Sequence, residues 1–439
     1  MGFGISDEGM RRGRRAAGEA APAARAAHAH AAATHAPASV RPAAGEVAGA
    51  SFSARGAGDA RPVRVLLVGP STDILGGQAV QLERLLGRFR EEPGLEVGFV
   101  PVNPRLPGAL RRLQAVRYVR TVATSLAYWW LLLRRVPRYD VIHIFSASYT
   151  SFVIAPTPAL LAARLFGKKT VLNYRSGECE DHLRRWRRTA VPTVRRFDLI
   201  AVPSGYLVDV FARFGFAARA VFNFVDSARF RFRERRPLAP RFLSNRNHES
   251  LYNVEMALRA FALVQERCPD ASLLVAGDGS LRPSLERLAR ELGLRGVQFV
   301  GRVPNERMPA LYAAADIYLN TPNVDNMPGS IIEAYASGLA VVTTDAGGVP
   351  YIVRDGETGL VVPRGDHERM ARAALRLLED DALAQRLIAG AREECRRYSW
   401  EAVRGEWLDI YRGLAGRGAA LETARAEAGG PSAGLNDAR

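Results

Sequence analysis

Two carboxylates stand eight positions apart in the stretch DNMPGSIIEAYASG: Asp325 opens it, and Glu333 lies inside the apolar run that follows. Between them, Met-Pro-Gly-Ser makes a polar elbow at the mouth of a helix. Two chemistries fit these residue types. In the first, Ser330-Ile-Ile-Glu333 is a capping box, with serine as N-cap and glutamate reaching back to the backbone. In the second, the unpaired amides and positive dipole end of the helix attract a phosphate. Gly329 then lets the backbone come close without a Cβ, and Ser330 adds a hydroxyl. A carboxylate one turn further in suits two sugar hydroxyls better than a phosphate. Phosphates together with vicinal hydroxyls describe a nucleotide sugar. Asp325 and Asn326, which a cap does not need, favour this second reading, as do the small residues Ala334, Ala336, Ser337 and Gly338.

Such a mouth needs strands to aim it, and the sequence supplies them twice. VRVLLVG (63–69), LEVGFV, DVIHIF, KTVLNY and DLIAVP are short apolar runs of the kind buried in parallel sheets. A helical pattern from Gln78 to Phe89 follows the first. A second block repeats the plan with RFLSN, ASLLVAGDG, VQFVG, DIYLN and LAVVTTD, interleaved with helical patterns at 254–266, 281–292 and 306–314. Strand and helix alternating in units of roughly 30 residues predict a doubly wound parallel sheet. The α/β fold expected is therefore two Rossmann-like domains, with the junction between Asn223 and Arg236. Ligands bind such sheets at the carboxyl ends of strands, so the site should open between the domains.

Bulk composition narrows the partners. The chain has 439 residues and a net charge of +16, carried almost wholly by arginine; Lys168 and Lys169 are the only lysines. A generic Arg and Ala bias explains this charge, so no nucleic-acid partner is expected, but anionic ligands or membrane surfaces are favoured. Cys179, Cys268 and Cys395 form no CxxC pair, and the seven histidines show no ligand spacing, so no metal site is expected and a reducing cytoplasm fits. Residues 1–60 have almost no large apolar side chains and residues 417–439 are rich in Ala, Gly and Glu, so both read as disordered tails. From Pro101 to Tyr139 there are eight arginines and no acid. Val116, Val119, Ala123, Leu126, Trp130 and Leu133 share one helical side there. The apolar part is too short to cross a bilayer of about 30 Å. Either it is a core helix with an arginine-rich edge, or segment 105–138 lies in a membrane interface, with Arg184, Arg185, Arg187 and Arg188 adding charge.

The stretch DNMPGSIIEAYASGLAVVTTDAGGVPYIVRDGETGLVVP resembles the C-terminal signature of the GT-B retaining glycosyltransferases of family 4, the glycosyl transferases group 1. Its two acids are separated by seven residues, and a small-residue helix and a strand follow. LLVAGDGSLRPSLERLARELGL and VQFVGRVPNERMPALYAAADIYLNTP stand in family order and at family spacing, and the likeness extends over roughly 63–414. It implies a GT-B fold: an acceptor domain at 61–223, a nucleotide-sugar domain at 224–395, and a helix at 396–416 crossing back to the first. It implies that Glu333 holds the ribose hydroxyls and that the amides of Gly329, Ser330 and Ile331 meet the diphosphate. Asp325 would face the donor sugar and Arg246 would neutralise the diphosphate. Val303 would hold the base through its backbone, Gly277 would border the donor, and Gly76 and Gly77 would let donor or acceptor approach the first loop.

The chain departs from the family at three places. Asp325 replaces the usual glutamate. Tyr252-Asn253 stands where a lysine is usual, leaving the diphosphate to Arg246 with or without a further arginine. Arg175 stands where a histidine often lies near the reacting sugar; an arginine cannot act as a general base, but it can stabilise a departing phosphate or orient an acceptor. Glu178, Asp181 and His182 are nearby candidates to serve the acceptor, and His143 is as readily structural.

The expected activity is a retaining, metal-independent glycosyl transfer from a nucleotide-diphosphate sugar, with no cofactor beyond that donor. The acceptor would be a lipid-linked saccharide in surface polysaccharide assembly, at the cytoplasmic face of the membrane. A catalytically silent nucleotide-sugar-binding partner is the alternative. A dinucleotide oxidoreductase is disfavoured because no G-x-G-x-x-G follows any strand.

Overall fold

The apolar runs become parallel strands whose ends carry the polar loops. A computed structural model describes residues 61–71, 77–106, 108, 117–226 and 228–416. The predicted tails and Gly76 lie outside these residues, as does Val116 of the arginine-rich segment.

The N-terminal sheet holds β1 (Val63–Gly69), β2 (Leu95–Pro101), β3 (Val141–Ser146), β4 (Lys169–Tyr174), β5 (Leu199–Val202) and β6 (Arg219–Ala220). Their spatial order is β2-β1-β3-β4-β5-β6. The C-terminal sheet holds β7 (Arg241–Ser244), β8 (Ser272–Ala276), β9 (Val297–Gly301), β10 (Ile317–Asn320), β11 (Ala340–Thr344) and β12 (Leu360–Val362). Its order is β12-β11-β10-β7-β8-β9. All pairings are parallel; Val65 of β1, for example, sits beside Val97 on one side and Val141 on the other. Helices cover both faces of each sheet, so β3 and β11 are buried along their whole length.

The strand order reverses between β1 and β3 in one sheet and between β7 and β10 in the other. Crevices form at the carboxyl ends of strands at such points. The residues following β7 and β10 and those following β4 line a common gap between the two lobes.

The last helix, Trp400–Leu414, returns to the N-terminal lobe. Ser399 caps it by accepting from the Ala402 amide at 3.2 Å. Trp400, Trp407 and Tyr411 pack edge-on around Phe89, with ring centroids 5.6, 6.3 and 5.5 Å away. These contacts join β1, the Gly77–Arg90 helix and the end of the described chain into one core.

The arginine-rich segment forms a helix from Arg117 to Arg135. Its buried residues are Tyr128 and Leu132, whereas Val119, Val122, Leu126, Trp130 and Leu133 face outward. The apolar side read from the sequence is thus the outer side. The Tyr128 hydroxyl donates to the Ala155 carbonyl at 2.7 Å, bringing the Thr150–Ile154 and Pro156–Leu165 helices alongside. Those helices expose Val153, Ile154, Leu161 and Leu165, with Phe166 just beyond. Of the twelve exposed large hydrophobics among the described residues, nine lie on this group of helices and Phe166 directly follows one, so the exposed apolar surface is concentrated rather than scattered. No described helix is long and apolar enough to cross a membrane.

Candidate functional site

The elbow helix runs from Gly329 to Ser337 with Pro328 as its N-cap and no side-chain cap. The capping-box reading is therefore incorrect: Pro328 is extended, Gly329 is already helical, and Ser330 is the second helical residue. Glu333 reaches sideways instead. Its Oε2 accepts from the Tyr312 hydroxyl at 2.9 Å and its Oε1 from Arg84 Nη2 at 2.8 Å. The expected trio of phosphate amides also needs correction. The Ile331 amide donates to the Pro328 carbonyl at 3.2 Å, leaving Gly329 and Ser330 as first-turn donors with no intrahelical acceptor. Both line the cleft.

The far ends of the supporting helices are pinned by a single buried cation. Arg235, with a wholly buried side chain, donates to the carbonyls of Tyr312 (2.9 Å), Ala315 (2.9 Å) and Ser337 (2.5 Å). It thereby closes the C-terminal ends of the Met308–Ala314 and Gly329–Ser337 helices, which carry Tyr312 and Glu333.

Arg246, just beyond β7, donates from Nη1 to Ser330 Oγ at 3.0 Å and from Nη2 to Asp325 Oδ2. Two of its five N–H groups are engaged there, so others remain for an anion. Burial lowers the Arg246 pKa, but Asp325 together with Tyr252, Tyr318 and Tyr312 outweighs it, and the net shift is upward. Tyr252 lies beneath the guanidinium, 4.3 Å from its ring centre. A stacking platform thus stands where a second cation was missing in the sequence. Gly277 lies on the cleft wall with φ +131; a Cβ there would come 2.2 Å from the Arg246 carbonyl, so its role is to let the loops after β7 and β8 touch. Val303 also lines the cleft, beside Arg302.

The loop of residues 325–328 is held from three sides by glycine. A Cβ on Gly348 would meet the Asn326 carbonyl at 2.1 Å, one on Gly347 the Asp325 carbonyl at 2.2 Å, and one on Gly177 the Asp325 backbone at 3.0 Å. Gly177 belongs to the opposite lobe, so the lobes meet at Asp325 itself.

Arg175 follows β4 and faces the same cleft. It donates to Asn173 Oδ1 at 3.3 Å and to Asn223 Oδ1, while Asn223 Nδ2 donates to the Met327 carbonyl at 2.8 Å. Burial lowers the Arg175 pKa to about 10, so it remains a cation at neutral pH. Glu178 lines the cleft. Asp181 instead pairs with Arg185 and Tyr149, and His182 is buried against Tyr174. His143 is also buried, bonded to Tyr411 and Asn173. Neither histidine lines the cleft.

Gly77 begins the Gly77–Arg90 helix and lines the cleft, followed on one face by Val80, Gln81 and Arg84. The sequence reading missed Gln81 and Arg84, although their i, i+3, i+4 and i+7 spacing from Gly77 was a usable signal. Tyr312 carried no such signal, because its partner lies 21 positions away.

The assembled cleft encloses about 540 Å³ and brings together Arg84, Arg175, Arg246, Asp325 and Glu333. Among the described residues, no three His, Cys, Asp or Glu side chains are placed to hold a metal ion. The arrangement can bind an anion at the helix mouth, accept hydroxyl protons at Glu333, and present a buried cation from the facing lobe.

Residues 229–394 match the family of glycosyl transferases group 1. The chain is 31% identical over 253 residues to a phosphatidyl-myo-inositol mannosyltransferase of Mycobacterium tuberculosis, covering 56% of this chain and 61% of that protein. It is 28% identical over 348 residues to the sulfoquinovosyl transferase SQD2 of Arabidopsis thaliana, covering 72% and 66%. The chain thus spans about three fifths of the length of the first of these relatives. Among solved structures, Anabaena HepE in complex with UDP aligns with a TM-score of 0.63 at 17% identity, over 80% of this chain and all of that one. Sucrose-phosphate synthase from Thermosynechococcus elongatus aligns with a TM-score of 0.64 at 20% identity, over 80% and 99%. These two likenesses establish the GT-B fold.

Proposed function

We propose, with residues 229–394 a glycosyl transferases group 1 domain, that the cleft binds a nucleotide-diphosphate sugar and transfers its sugar, with retention, to an acceptor. One observation carries this reading. The Gly329–Ser330 mouth, Arg246 and Glu333 lie at the carboxyl ends of one sheet and face Arg175 from the other. In this reading Glu333 accepts from ribose hydroxyls, while the two amides and Arg246 meet the diphosphate. Asp325 faces the sugar, and Arg175 stabilises charge on the departing phosphate or orients the acceptor. Arginines supply the positive charge, so no divalent cation is required in this scheme. Lobe closure excludes water, whose attack would be the competing reaction.

The acceptor in this reading is a lipid-linked saccharide at an anionic membrane face. The outward apolar surface around Leu126 and Trp130 supports it, with Arg120, Arg134 and Arg135 exposed on the same helix. A relative named for phosphatidyl-myo-inositol points the same way.

The test is calorimetric titration with uridine, guanosine, adenosine and cytidine diphosphates and their sugars. One nucleoside diphosphate should bind, and Glu333→Gln should weaken it by more than about tenfold, the effect of losing charge-assisted hydrogen bonds. Failure of all four to bind would overturn the reading. Donor binding without transfer to any lipid-linked acceptor would favour the silent partner instead.

A further inference from the structure

Glu333 is the residue assigned to the ribose, yet one of its oxygens is held by an arginine from the other lobe. Arg84 lies one turn beyond Val80 and Gln81 on the cleft face of the Gly77–Arg90 helix, while Leu82, Leu85, Leu86 and Phe89 are buried in the lobe's core. Its Nη2 donates to Glu333 Oε1 at 2.8 Å and its Nη1 to the Phe224 carbonyl at 3.3 Å. The side chains of Arg84 and Glu333 are only 7% and 10% exposed. The Arg84 Nε is buried with no partner among the described residues. Gln81, beside it, donates to the same Phe224 carbonyl at 3.2 Å, and its amide nitrogen lies 3.8 Å from where a Gly329 Cβ would stand. The N-terminal helix therefore reaches both the mouth and the carboxylate of the other lobe.

We propose that Arg84 is a positioning residue for the donor: it fixes the Glu333 carboxylate from across the cleft, so that ribose recognition by the C-terminal lobe requires the N-terminal lobe in place. This rests on the reading that Glu333 holds ribose hydroxyls. A carboxylate has roughly four acceptor positions. Tyr312 and Arg84 each occupy one, on different oxygens, and the remaining lone pairs are then aimed rather than free to rotate. Without Arg84, Glu333 keeps only Tyr312 and is a buried anion lacking its counter-charge, so its carboxylate is no longer fixed from across the cleft. Coupling follows from the same contact. A separated N-terminal lobe leaves Glu333 loose, and bound ribose favours the approach of Arg84.

The experiment is a cycle on both protein and ligand, made with the full chain. Affinities of the wild type, Arg84→Met, Arg84→Lys, Glu333→Gln and the Arg84→Met/Glu333→Gln double variant are measured by calorimetry. The probes are the four nucleoside diphosphates and the 2′,3′-dideoxy form of whichever binds best. Arg84→Met should weaken the ribonucleotide at least tenfold and the dideoxy ligand less than twofold. Arg84→Lys should recover part of the loss, and Arg84→Met should add nothing in the Glu333→Gln background. The double variant carries no buried charge mismatch, so it reports on the contact even where Arg84→Met is poorly folded. An equal loss for both ligands, or none, would overturn the role of Arg84 while leaving the donor site intact. If the wild type binds none of the four, the functional reading fails and this inference with it.

Discussion

His143 shows how a single side chain can make stability depend on pH without entering the chemistry. Its ring is wholly buried, bonded to Tyr411 through Nδ1 at 2.6 Å and to Asn173 through Nε2 at 2.9 Å, and stacked on Phe145 and Trp407. Burial, with a smaller contribution from Arg175, lowers its pKa to about 3. The folded protein therefore keeps the ring neutral where the unfolded chain, with a value of about 6.5, takes up a proton. The stabilisation is complete above that unfolded value and is lost as pH falls from there toward 3. Below the unfolded pKa the loss is about 1.4 kcal/mol per pH unit. His143→Gln keeps polar atoms in place but cannot titrate. Between pH 7 and pH 5 its unfolding free energy in urea should fall by about 2 kcal/mol less than that of the wild type. Equal falls would show that the ring is solvated.

At the scale of elements, the loop of residues 325–328 is held by close backbone approach as well as by side chains. Gly348→Ala would place a methyl group 2.1 Å from the Asn326 carbonyl, so the loop of residues 325–328 must move. The expected result is a lowered melting temperature together with nucleoside diphosphate affinity reduced more than tenfold. Gly365→Ala, at an open position with φ +79, should cost about 1 kcal/mol and leave affinity unchanged. Affinity unchanged in both variants would mean that this loop does not touch the donor. The sequence exposed much of this level and concealed part of it. Long β-branched runs such as VRVLLVG announced their strands, whereas Arg219–Ala220 and Leu360–Val362 are too short to carry a period. The S-x-x-E pattern suggested a cap because local sequence cannot show that Pro328 is the N-cap and that the helix begins at Gly329, ahead of Ser330. The Arg117–Arg135 helix has apolar residues on two sides, so composition alone could not say that Tyr128 and Leu132 turn inward. Asp325, Gly329, Ser330 and Glu333 fall within one cleft because their spacing is local to a loop and a helix, and Arg246 joins them because β7 lies next to β10 in the sheet. Arg84, Gly177 and Asn223 reach them only through the packing of a distant lobe, which no local pattern encodes.

For the whole molecule, the main asymmetry is the apolar surface on one side of the N-terminal lobe. Leu126 is 66% and Trp130 58% exposed, so replacing both with aspartate removes little buried contact. Leu126→Asp/Trp130→Asp should therefore leave melting temperature and nucleotide affinity unchanged. It should abolish co-flotation with phosphatidylglycerol vesicles, which the wild type should show at low salt and lose in part at high salt. Flotation of the variant at wild-type levels would refute the membrane reading.

The return of the Trp400–Leu414 helix to Phe89 has a consequence for how the protein is made. A ribosome completes every strand of the first lobe before it starts the second, yet the tryptophans that finish that lobe's core are among the last of the described residues to emerge. The earliest lobe must wait, with the flank of its first helix bare, until the later lobe has been synthesised. Nascent chains stopped before Trp400 should accordingly be the ones that chaperones hold.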